Sequence, residues 1–99
     1  MKSAARDLVK YAISKGYRVT VDDGETDEED LTVRESRSIT AIMEDAKSVD
    51  DTYLIFTKDG CKREVAHIVF GNEPDEEVAD FSINGMIDEW FDKFMEEVK

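Results

Sequence analysis

The 99-residue chain has one cysteine, one proline, one histidine and five glycines, and each scarcity removes a class of protein. A lone Cys61 allows no intramolecular disulfide and no cysteine zinc site within one chain. So little proline and glycine, with 40% hydrophobic residues in periodic groups, is not a disordered composition. No stretch approaches the roughly 20 consecutive apolar residues that a membrane span needs. The opening MKSAARDLVKY lacks the apolar core of a signal peptide, so a cytoplasmic location is the expectation. The length suits one α+β domain over residues 1–99, with its own core, and is too short for two.

Catalytic signatures are equally scarce. Nucleophilic catalysis needs a base beside the nucleophile, and the single His67 sits in an alternating stretch on the side of Val65 and Val69, where it reads as structural. Cys61 follows a turn glycine and reads as a bystander thiol. There is no glycine-rich phosphate loop: Gly24 and Gly60 serve turns and Gly71 stands alone. Carboxylate pairs are so many that none is informative, and a chain this short has little room for a glycosidase cleft. Asp22 to Asp30 lacks the alternating ligands, the glycine at position six and the glutamate at twelve of an EF-hand loop. The expectation is a protein that is not an enzyme and has no cofactor and no built metal site.

What the chain has in excess is negative charge. Twenty-five acidic residues stand against 13 basic ones, a formal net of −12. Residues 1–18 carry Lys2, Arg6, Lys10, Lys15 and Arg18 against Asp7 alone, so residues 19–99 hold 24 acids against eight bases, a net of −16. Such a surface repels anionic membranes and nucleic acid, and it attracts basic protein surfaces. The acids fall in three groups. Asp22, Asp23, Glu25, Asp27, Glu28, Glu29 and Asp30 form the first. Glu73, Asp75, Glu76, Glu77 and Asp80 form the second. Asp88, Asp92 and Glu96 form the third, four apart and so on one helix face.

Periodicity supplies the elements. Ala5, Leu8, Val9, Ala12 and Ile13 predict a helix, capped by Ser3 and stopped by Gly16. Tyr17 to Val21 alternates as a strand, Asp22-Asp23-Gly24 signals a turn, and Leu31 to Arg34 reads as the return strand of a hairpin with an acidic tip. Ile39, Ile42, Met43 and Ala46 predict a second helix capped by Ser36 or Ser38. Thr52 to Thr57 and Lys62 to Phe70 predict a hairpin about Asp59-Gly60. Asp75 to Phe81 reads as an acidic linker, and Ile87, Trp90, Phe91, Phe94, Met95 and Val98 as the core stripe of a last helix. The predicted order is α-β-β-α-β-β-α, a largely antiparallel four-stranded sheet packed with helices.

The opening KSAARDLVKYAISKGYRVTV, running into an Asp-Gly turn, and the closing NEPDEEVADFSINGMIDEW resemble the small acidic proteins encoded by tailed bacteriophages. The resemblance implies a context of binding and redirecting host enzymes, and it carries over no catalytic residue. Charge and resemblance together lead to a protein-binding module that occupies a basic surface of a host protein, with mimicry of DNA as its most specific form. The three acidic groups, Asp80 aside, are its candidate binding residues. The alternative is a structural or accessory protein associating through an apolar face, as a homodimer, which exposure of Trp90, Tyr53 or Phe70 would favour. The chain itself is expected to be a monomer or homodimer.

Overall fold

The computed structural model describes residues 4–24, 27–48, 51–69 and 78–98. Among these residues it is an α+β fold of three α-helices and a four-stranded antiparallel sheet. The helices are α1 (Ala4–Ser14), α2 (Ile39–Ala46) and α3 (Met86–Val98), and the strands are β1 (Arg18–Asp22), β2 (Asp51–Thr57), β3 (Glu64–Val69) and β4 (Val78–Phe81). The strands lie side by side in chain order.

The helix boundaries follow local chemistry. At the end of α1, Tyr17 N–H donates to Ala12 O and Gly16 N–H to Ile13 O, both at 3.0 Å. This paired closure needs a residue in the left-handed region, and Gly16 supplies it at φ +91°. Ser38 caps α2, its hydroxyl accepting Ala41 N–H, while Ser36 Oγ accepts Ser38 N–H. The cap proposed at Ser3 lies outside the described residues.

α3 is capped from afar. Glu64, at the start of β3, is only 5% exposed, and its two carboxylate oxygens accept Met86 N–H and Ile87 N–H at 3.0 Å. Helix N-termini leave such donors unpaired and favour negative charge. Asp88 adds to the cap by accepting Asn84 N–H at 3.1 Å. Gly85 lies against Glu64 so closely that a Cβ there would come within 2.7 Å of its carboxyl group. Tyr17 is buried nearby, and that burial, with the Glu64 carboxylate beside it, raises its phenol above the ordinary value.

All three helices pack on one sheet face. Val19, Val21, Leu54, Phe56, Ala66, Ile68 and Val78 join Leu8, Val9, Ile42, Ile87, Trp90 and Phe94 in one core cluster. Trp90 is 1% exposed, and its indole N–H donates to Asp7 Oδ2 at 2.8 Å. Ile87, Trp90 and Phe94 are therefore core, with Phe91 and Met95 partly buried beside them, as the spacing predicts.

Two strands differ from expectation. Leu31 to Arg34 does run beside β1, as a hairpin requires, but it is not a strand. Val21 N–H donates to Val33 O, and Val19 and Ser36 exchange both backbone bonds. Three steps from 33 to 36 thus oppose two from 19 to 21. The excess is absorbed at Glu35, which turns to φ 47° and gives its N–H to Thr20 Oγ1. A side-chain acceptor has replaced a ladder bond, so the segment covers the sheet edge without extending the ladder. The ladder partner of β1 is β2. The second difference is β4, which lies where an acidic linker is expected. Ile68 pairs with Val78 but His67 with Asp80, so Ala79 is an extra residue. That bulge breaks the apolar alternation by which a strand is recognised in sequence.

Candidate functional site

The pairing register gives the sheet two chemically different ends. Asp22 opposes Tyr53 and Asp51 opposes Val69, so the end of β1, the start of β2 and the end of β3 lie together. β4 begins at that end too, because Val78 opposes Ile68. At the other end Arg18 opposes Thr57, and the β2–β3 turn closes with Cys61 N–H donating to Lys58 O at 3.0 Å.

Carboxylates gather at the first end. Asp22 Oδ1 accepts Gly24 N–H at 2.8 Å, which turns the chain out of β1. Asp27, Glu29 and Asp30 are exposed, and residues 28–30 make a single 3-10 turn in which Asp30 N–H donates to Asp27 O. Asp23 and Asp30 then meet Asp45 of α2 around a cavity of about 70 Å³, with Thr32, Ser48 and Thr52 among its other walls. Thr52 is fully buried there and its hydroxyl donates to Asp22 O at 3.0 Å. Among the described residues, no three carboxylate, imidazole or thiol groups are placed to hold a metal ion together.

The other end is where several cations are held. Arg18 pairs with Asp59 at 3.0 Å and approaches Glu35 at 4.0 Å. Lys58 donates to Lys15 O at 2.7 Å, and its ammonium lies 5.6 Å from the Tyr17 ring centre. Exposed Lys62 and Arg63 follow in the same hairpin.

The candidate acids are therefore distributed unequally. Asp22, Asp23, Asp27, Glu29 and Asp30 share the acidic end; the Glu28 backbone lies there too. Glu25, Glu73, Asp75, Glu76 and Glu77 lie outside the described residues. Asp88 sits in the first turn of α3, which Glu64 holds at the opposite end, and its carboxylate serves the helix cap. Asp92 and Glu96 are exposed on that helix. Asp45 and Asp51 also belong to the acidic end, and nothing in helical or strand spacing says which sheet end a helix terminus reaches.

The sheet face away from the helices holds a second arrangement. Asp22, Tyr53, His67 and Asp80 are successive cross-strand partners, one from each strand. The Tyr53 and His67 rings stack, with centroids 4.7 Å apart and planes 16° from parallel. His67 Nε2 bonds Asp51 Oδ1. His67 is on the side of Val65 and Val69, as the alternation predicts, and Cys61 is exposed.

Compared with protein-family models, curated proteins and solved structures, the chain matches none. Among the described residues no helix is long and apolar enough to cross a membrane.

Proposed function

We propose that this protein is a non-enzymatic binding module that presents its acidic sheet end to a basic surface of a partner protein. The observation that carries this reading is the meeting of Asp23 and Asp30 from the tip with Asp45 from α2 around one cavity. Asp22 and Asp51 stand at the same sheet end, and Arg18 and Lys58 at the other. Such a carboxylate cluster attracts an approaching basic surface and raises its encounter rate. A phage-encoded regulator of a host nucleic-acid-binding protein, acting as a polyanion, is the specific form suggested by the sequence resemblance.

The test is capture of partners from bacterial lysate at low and high salt, using the wild-type chain and an Asp23→Asn/Asp30→Asn/Asp45→Asn variant. A partner retained by the wild type at low salt, and lost both at high salt and with the variant, is the expected result. Retention indifferent to salt and to the variant would refute the reading. It would favour association through an apolar face, for which the 39% exposure of Tyr53 on the helix-free sheet face is the supporting observation.

A further inference from the structure

The stacked rings on the helix-free face have a chemistry of their own. Beside them runs a groove of about 250 Å³ lined by Tyr53, Val65, His67, Asp80, Phe81 and Ser82. Its walls combine the rings with Val65, Phe81 and Ser82, its one carboxylate is Asp80, and no lysine or arginine lines it. Asp80 faces His67 across the β3–β4 ladder and lines the groove with it, and its Oδ1 accepts Phe81 N–H at 2.9 Å, which orients the carboxylate. Asp51 Oδ1 bonds the imidazole Nε2. The row thus offers a planar π surface next to an oriented anion.

We propose that this groove docks an arginine side chain of the partner, its guanidinium lying against the Tyr53–His67 pair and donating to Asp80. The proposal rests on the reading of the protein as a binder of basic surfaces, and it names the residue that such a surface must present. Arginine fits the complementary charge because its guanidinium is flat, stacks on rings, and is weakly hydrated. A lysine ammonium would satisfy the charge of Asp80 but could not extend the ring stack. An anionic ligand is disfavoured by Asp80 and Asp51 together.

The experiment titrates the full chain with hexa-arginine and with hexa-lysine, followed by nuclear magnetic resonance. Hexa-arginine should bind about fivefold more tightly than hexa-lysine, the contribution expected of one stacked cation. It should also shift the Tyr53, His67 and Asp80 resonances. Tyr53→Leu and Asp80→Asn should each abolish the preference, whereas Tyr53→Phe should keep it. Both substituted positions are exposed, so the fold is expected to survive, and the spectra report that directly. Equal affinities without shifts in the row, while the Asp23→Asn/Asp30→Asn/Asp45→Asn variant weakens both peptides, would overturn the arginine site and leave the acidic-end reading standing. Arginine preference that survives that triple variant but not Tyr53→Leu would do the reverse. Absence of binding by either peptide would overturn both. Shifts in the same row on raising protein concentration alone, without arginine preference, would assign the face to a second copy of the chain and overturn the proposal.

Discussion

Glu64 is an ionisable side chain buried at the junction of β3 and α3, and burial is tolerable only because its oxygens are bonded. Glu64→Ala leaves two helix N–H groups without partners and is expected to cost about 3 kcal/mol, read as a fall in the urea midpoint. Gly85→Ala forces a Cβ into the same carboxyl and is expected to cost about 1–3 kcal/mol. If the contact is the cause, Gly85→Ala should cost much less in a Glu64→Ala background, and a double-mutant cycle measures that difference. Tyr17 gives a pH dependence. Its phenol holds a proton more tightly folded than unfolded, because of burial and the Glu64 carboxylate. The folded state therefore binds more protons once the unfolded phenol titrates, near pH ~10. Tyr17's contribution is full below that pH and is lost as pH rises through the folded value. Urea midpoints between pH 8 and 11 should fall less steeply in Tyr17→Phe than in the wild type.

Among the elements, α3 and β4 are instructive because one is legible in sequence and the other is not. Ile87, Trp90, Phe91 and Phe94 repeat at helical spacing, and that spacing alone places Trp90 on the buried stripe. Trp90→Ala should destabilise the domain by about 3–5 kcal/mol in equilibrium unfolding. A variant as stable as the wild type would show that the indole does not hold α3 to the sheet. For β4 the bulge at Ala79 puts Val78 and Phe81 out of simple alternation, and pairing with β3 makes the strand. The segment from Leu31 to Arg34 is the converse. It alternates like a strand, and Leu31 and Val33 are buried, yet the αL turn at Glu35 breaks its ladder. Both differences arise because a hydrogen-bond ladder depends on the facing chain, whereas alternation records only which side chains are covered.

Over the whole molecule the dominant fact is a formal charge of −12, with a carboxylate cluster at one sheet end and several cations, Arg18 among them paired with carboxylates, at the other. Self-repulsion at the acidic end should make the free protein more stable as salt is added. The Asp23→Asn/Asp30→Asn/Asp45→Asn variant should show a smaller salt effect, and thermal unfolding at low and high ionic strength compares the two. An equal salt response would mean that these three carboxylates do not repel one another appreciably. In binding, screening should act mainly on the association rate, because steering works before contact.

The amino-acid order by itself determined the α+β class, three helices close to their observed limits, the β2–β3 hairpin and the burial of the last helix's stripe. Each of these follows from spacing within a short stretch, set by the 3.6-residue turn of a helix or the two-residue pleat of a strand. Only the tertiary structure decided that β1 pairs with β2, that Asp45 joins Asp23 and Asp30, that Glu64 caps a helix 22 residues away, and that Tyr53, His67 and Asp80 stand in one row. Those relations join residues distant in sequence. They are set by which strands meet and in what register, and no local pattern of side chains carries that information.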